Sequence, residues 1–386
     1  MFNLIKGGNV FAPEDLGVKD VLIFEDRIVK IADKIDPIDG FETKIYDAKG
    51  KYVVPGIIDG HIHMLGAGGG GGPASRSGMV HLSAITKAGV STAIGVLGFD
   101  CMGYTPRELL IRARALESEG LSTYMLTGSF HMPAATITNS VIEDVALMDK
   151  VIGLKIAMRD KVKATPTNDE FTKLFNDVVM GGMLGNKAGV IVAHNGEVPG
   201  SLSTVMDLME ERMISPASFI ATHINRTHDI LNDAIPCGKR GMILDITGDY
   251  PSDGPVMPSE ALPIMLNAGV PLENITISSD SGGVFTWNNQ TRMLPVDVCV
   301  KELAKTVKSG TLPMSVALAP LTSTPARVYR LSDRKGSLTI GKDADLLILD
   351  GDYNVDTLFC RGKRMVENGE AVVKGYLEAP LLETIG

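Results

Sequence analysis

His61 and His63 stand one residue apart, and in an extended backbone residues i and i+2 face the same way. Two imidazoles leaving one face of a strand make a seat for a divalent metal such as zinc. They follow directly on residues 53–58, a short apolar run rich in β-branched residues, bounded by Pro55-Gly56 and Gly60, which reads as a buried strand. Two ligands do not make a site, so further donors must come from elsewhere. His194 ends the run 190–194, His223 ends 219–223 and Asp280 ends 275–280, each preceded by an apolar strand pattern. A single histidine at a strand end is most often structural, but four histidines and an aspartate at separate strand ends point to one metal centre. Lys155, in Gly-Leu-Lys-Ile-Ala, belongs to the same setting, although a protonated amine cannot ligate a cation. Two readings stand for it. Either it makes an ion pair at the rim, or its neutral amine adds carbon dioxide to give a carbamate able to bridge two metals.

The elements that must carry these residues divide the chain in two. Residues 1–55 and 331–386 are strand-rich with polar turns, including a hairpin over 20–32 that turns near Glu25-Asp26, and they predict a small β-sandwich domain built from both termini. Residues 56–330 alternate short apolar runs, at 91–96, 123–126, 153–156, 190–193, 219–222, 242–245 and 275–278, with helical patterns. One helix is predicted over 106–119, with Pro106 in its first turn and Leu109, Leu110, Ala113 and Leu116 on one stripe. Eight such units predict a (β/α)8 TIM-like barrel, whose active sites lie at the C-terminal ends of the strands. The glycine-rich stretch 66–73 lacks the Gly-Lys-Ser/Thr ending of a phosphate loop. It is read either as a floppy connection or as backbone that approaches, or covers, a ligand.

Composition narrows the class. With 386 residues, 44% hydrophobic and 22% charged, the chain reads as a globular enzyme. A net charge of −9 without a basic block argues against nucleic acid and anionic membranes. No apolar run reaches the roughly 18 residues of a membrane span. The first residues show no secretory leader, and Cys101, Cys237, Cys299 and Cys360 are scattered, so free thiols in the cytoplasm are expected.

The motifs from Pro55-Gly-Ile-Ile-Asp-Gly-His-Ile-His through Lys155, His194, His223 and Asp280 to 336–346 resemble the amidohydrolase superfamily, and within it the isoaspartyl dipeptidase branch. Stretches such as 125–133, 136–140 and 223–227 extend that likeness over nearly the whole chain. The resemblance implies two divalent metal ions, zinc by expectation. His61, His63 and Asp280 would hold one and His194 and His223 the other, with carboxylated Lys155 and a hydroxide bridging them and Asp280 carrying the proton. It also implies a small-molecule substrate and a homo-oligomer.

Against that branch the substrate contacts depart. A glutamate that grips the substrate's amino group falls at Gly70, a tyrosine at Phe130, a threonine at Phe99 and a serine at Val284. An arginine has no clear counterpart, with Arg159, Lys161 and Lys163 nearby, while Arg226 is kept and could pair with a substrate carboxylate. His131 and Trp287 are further candidates for the pocket wall. The sequence therefore supports cleavage of an amide in a carboxylate-bearing substrate. The alternatives are a hydrolase of a cyclic amide or lactone, and a non-catalytic homologue.

Overall fold

The computed structural model describes residues 1–158, 166–196, 198, 200–248, 256–287, 290–376 and 378. The strand predicted over 53–58 is divided at Gly56. Tyr52–Pro55 belongs to one sheet, and Ile57–Ile62 opens another. Both halves are buried, so the apolar run looks continuous although it serves two cores.

The second sheet has eight parallel strands in sequence order. They are β1 (Ile57–Ile62), β2 (Val90–Gly95), β3 (Ser122–Gly128), β4 (Val151–Met158), β5 (Val190–Asn195), β6 (Phe219–Thr222), β7 (Ile243–Thr247) and β8 (Ile275–Ser278). Buried on both faces along nearly their whole length, they carry apolar runs such as residues 190–193 and 219–221 rather than strict alternation. Between β8 and β1 the ladder shrinks to a bridge between Ile62 and Ser281, with the His63 amide donating to the Ser281 carbonyl at 2.7 Å. A side chain completes the seam. The buried Asp59 carboxylate accepts from the Ser279 amide at 3.1 Å, the Ser279 hydroxyl at 2.5 Å and the His61 amide at 3.2 Å. Burial nevertheless pushes its carboxyl up to about 6. The result is the predicted barrel.

Helices follow the strands around the outside, and the local sequence sets their limits. The helix Pro106–Glu119 begins with a capping box between Thr105 and Glu108 and ends at Gly120, which takes φ 125°. Leu109, Leu110, Ala113 and Leu116 are its buried stripe.

The terminal segments form a nine-stranded sheet. Its hairpin pairs Asp15–Phe24 with Arg27–Ala32 across Glu25-Asp26, Glu25 taking φ 52°. Val21, Ile23 and Ile28 from the N-terminal part pack in one cluster with Leu346, Ile348 and Phe359 from the C-terminal part. This sheet is fastened to the barrel by a buried charge network. Lys335 Nζ lies 2.6 Å from Asp345 Oδ2, 3.0 Å from Asp343 Oδ2 and 2.8 Å from the hydroxyl of Ser122, the first residue of β3. Burial alone would favour the neutral amine, but the two carboxylates outweigh it and raise the Lys335 pKa.

Candidate metal centre and pocket

At the C-terminal mouth of the barrel the predicted donors come together. His61, His63 and Asp280 are buried, with ligand atoms all within 4.8 Å of one another. Asp280 Oδ1 is 3.2 Å from His61 Nε2 and 3.1 Å from His63 Nε2. Lys155 Nζ, fully buried on β4, lies 3.0 Å from His61 Nε2. His223 stands beside His61, with ring centroids 5.2 Å apart, and His194 beside His223 at 4.8 Å.

The backbone bends to achieve this. The pairing of β1 with β2 shifts between Asp59 and Ile62, so the residues that include His61 depart from the regular ladder. Gly60 leaves little room for a side chain there. The Tyr329 hydroxyl donates to the Gly60 carbonyl at 3.1 Å, and a Cβ on Gly60 would sit 3.0 Å from the hydroxyl oxygen. His223 and Asp280 both take left-handed backbone, with φ 65° and 52°. For non-glycine residues this costs of order 1–3 kcal/mol and is concentrated at functional sites.

These donors fit a divalent cation better than they fit one another. Among the described residues Asp280 Oδ1 has no hydrogen-bond donor despite its two close imidazole nitrogens, and His63 Nδ1 is likewise buried without a partner. Buried polar atoms are rarely left so. Burial, then the Lys155 charge, holds His61 well below the usual histidine range, so its imidazole is neutral. Burial and the Arg226 charge do the same for His223. Burial would raise the Asp280 carboxyl, but its electrostatic surroundings, the Lys155 charge among them, outweigh it and lower its pKa. Neutral imidazoles and a carboxylate are the protonation states that metal binding demands.

A cavity of about 410 Å³ opens above these groups. Its wall includes His63, His194, His223 and Asp280 together with all five predicted substrate residues, Gly70, Phe99, Phe130, Arg226 and Val284. The Phe130 ring lies against His194, with centroids 4.3 Å apart, and 5.9 Å from Lys155 Nζ. Arg226 Nη1 is 3.5 Å from His194 Nε2. His131 is exposed and does not contribute to the wall, because the turn after Phe130 carries it to the surface. Arg159, Lys161 and Lys163 and the Trp287 side chain lie outside the described residues.

The glycine-rich stretch is held by hydrogen bonds to its own turn and to the segment after Asp280. Ala67 pairs with Ser77 in both directions, Gly71 donates to the Ser75 hydroxyl at 3.0 Å, and the Ser77 hydroxyl donates to the Gly282 carbonyl at 2.6 Å. Arg76 Nε donates to Asp100 Oδ2 at 2.5 Å, tying the stretch to the segment that carries Phe99. Ser75 and Thr291 line the cavity as well. The sequence reading missed both, since a lone hydroxyl residue, whether in the strand Gln290–Met293 or in the turn Pro73–Ser75, carries no pattern.

Comparison with known proteins agrees with this geometry. Residues 152–365 match the model of the amidohydrolase family. A crystal structure of beta-aspartyl dipeptidase from Fervidobacterium islandicum AW-1, in complex with beta-Asp-Leu dipeptide, is similar with a TM-score of 0.89 and 32% identity, over 96% of this chain and 98% of that one. Dihydropyrimidinase from Brevibacillus agri NCHU1002 shares the fold at 16% identity and a TM-score of 0.70, over 97% of each chain. Among curated sequences, adenine deaminase 1 of Latilactobacillus sakei is 22% identical over 99% of this chain, and adenine deaminase of Methanococcoides burtonii is 22% identical over 89%. The matches span only 63% and 54% of the length of those two relatives.

Proposed function

Because this chain belongs to the amidohydrolase family, we propose that it is a metal-dependent hydrolase that cleaves the amide bond of a small substrate bearing a carboxylate. The observation that carries this reading is the single cavity in which the ionised Asp280, three of the buried histidines and Arg226 share one wall.

His61, His63 and Asp280 would hold one divalent cation, zinc by our reading, and His194 and His223 a second, with Lys155 between them as its carbamate. When bound there, such ions supply Lewis acidity, polarising a carbonyl and making water nucleophilic near neutral pH. The chain's own groups do the rest. Asp280 takes the proton from the attacking water and hands it to the departing nitrogen, so that an amine leaves rather than an amide anion. Arg226, half-buried at the cavity wall, offers a planar fork of donors to the substrate carboxylate. Phe130 and Val284 line the wall with apolar surface and exclude water from the reacting bond. Amide cleavage is also what the name of the F. islandicum dipeptidase describes.

Gly70 separates this pocket from one built for a free α-amino group. It presents no carboxylate, so an ammonium placed beside it would lack an anionic partner there. We therefore read the substrate as an acylated amino acid or related amide whose nitrogen carries no charge. Kinetics on β-Asp-Leu and on N-acyl amino acids test this. The expected result is a higher kcat/KM for the acyl compounds, with KM rising at least tenfold in Arg226→Met. Efficient turnover of β-Asp-Leu would overturn the substrate assignment.

A second reading, hydrolysis of a cyclic amide or lactone, is favoured by the apolar residues at Phe99, Phe130 and Val284, which suit a compact uncharged ring. Hydantoins and lactones belong in the same panel, and a preference for them with no effect of Arg226→Met would decide for this alternative.

A further inference from the structure

Beneath the metal-facing side chains lie polar groups that the proposed chemistry does not use. Asp245, at the centre of β7, is buried inside the barrel and accepts three hydroxyls: Thr222 Oγ1 at 2.8 Å, Thr276 Oγ1 at 2.8 Å and Ser278 Oγ at 2.7 Å. Thr222 ends β6, and its oxygen also lies 3.2 Å from His61 Nδ1. A hydroxyl has one proton to give. Since Thr222 gives its proton to Asp245, the contact with His61 must run the other way, with Nδ1–H donating to the threonine oxygen. The His61 proton is therefore on Nδ1, and the Nε2 lone pair faces Asp280 Oδ1.

The same construction recurs one strand further on. Thr247 ends β7, and its oxygen lies 3.0 Å from His223 Nδ1. Its hydroxyl donates to Asn225 Oδ1 at 3.3 Å, which also accepts the Thr247 amide at 2.9 Å. The orientation of the Asn225 amide is not arbitrary. Its Nδ2 faces two carbonyls, of Thr247 and Val256, each at 2.8 Å, so the other atom must be the oxygen. His223 too is thereby protonated on Nδ1.

We propose that Thr222 and Thr247 are positioning residues, whose hydroxyls, oriented by Asp245 and Asn225, fix the tautomer of His61 and His223 and present Nε2 of each to the metal centre. The proposal rests on the metal reading above, and it assigns a role to four residues that touch neither substrate nor reacting atoms. Partners of this kind fix the orientation of ligating histidines, and their loss typically lowers metal affinity 10–100-fold.

The test uses the full-length protein stripped of metal by a chelator. Zn2+ affinity is measured by competition with a chromophoric chelator for the parent and for Thr222→Val, Thr222→Ser, Thr247→Val and Thr247→Ser. Long-range 1H–15N spectra of the ring nitrogens, on the parent and the same variants, report the tautomers. The proposal expects Nδ1–H signatures for His61 and His223 in the parent, a 10–100-fold loss of affinity in each valine variant, and recovery to within about threefold in each serine variant. Valine matches threonine in shape, so a purely structural role would not separate it from serine in this way. An Nε2–H signature in the parent, or equal affinity in the valine and serine variants, would overturn the proposal. Nδ1–H signatures in a parent that takes up no zinc would refute the metal reading while upholding the tautomer assignment.

Discussion

Lys155 Nζ lies 3.0 Å from His61 Nε2, a separation at which amine and imidazole address the same small volume. That volume is where a carbamate on Lys155 and a cation on His61 would meet. Elemental analysis is expected to find two divalent ions per chain in the parent and one or none in Lys155→Ala or His61→Ala. Chelation should abolish hydrolysis and added Zn2+ should restore it in the parent alone. A full complement of metal in Lys155→Ala would remove the bridging role.

Gly70 has room for a side chain. A Cβ there would meet only Phe99 Cδ1, at 4.0 Å, and the residue is not in the left-handed region. Gly70→Glu should therefore fold normally and supply an anionic partner for a substrate ammonium. Turnover of β-Asp-Leu is expected to rise on the order of tenfold or more, the low end of what a charged partner contributes. An unchanged kcat/KM would show that this position does not face the substrate's amino group.

Lys335 carries the junction between the two sheets. Lys335→Met would leave Asp343 and Asp345 buried beside a lost cation, although Arg27 and Arg334 still reach Asp343 at 2.9 and 3.0 Å. Breaking a buried pair from one side costs about 3–5 kcal/mol, so chemical denaturation should show a loss of that order. A loss below about 1 kcal/mol would mean that the network is dispensable.

Asp20 links acidity to stability in the terminal sheet. Its carboxylate accepts from the amides of Gly7 at 2.8 Å and Ile35 at 2.9 Å and lies 3.3 Å from Lys6 Nζ. Burial would raise this carboxyl, but those hydrogen bonds and the Lys6 charge prevail and hold it below the ordinary value. A carboxyl lowered by folding stabilises the fold above its unfolded pKa of about 3.9, and that contribution fades as the pH drops through the folded value. Asp20→Asn should lower the thermal midpoint at pH 7, with the gap to the parent narrowing below about pH 4. A gap that stays constant with pH would exclude this linkage.

The members of the candidate donor cluster could be picked out in the chain because they are chemically distinctive and end apolar runs, as His194, His223 and Asp280 do. The helix over 106–119 was equally legible, since Thr105, Pro106, Glu108 and Gly120 mark its ends. Other features left no trace of that kind. The division at Gly56 falls inside a uniformly apolar stretch, because both sheets bury it. The left-handed backbone at His223 and Asp280 is imposed by tertiary structure on residues whose own preference is otherwise. Thr222 and Thr247 look like ordinary β-branched strand residues. Their role appears only once Asp245 and Asn225 are beside them. In the glycine-rich stretch, the bonds made by Ser75, Arg76 and Ser77 involve backbone atoms that composition cannot distinguish.

The seam at Asp59 bears on how the protein matures. During synthesis His61 and His63 leave the ribosome long before Ser279 and Asp280, and the clasp that anchors β1 to β8 cannot form until then. Until then the nascent chain lacks Asp280, so the cluster of His61, His63 and Asp280 stays incomplete. Assembly of that donor cluster is thereby coupled to completion of the ring.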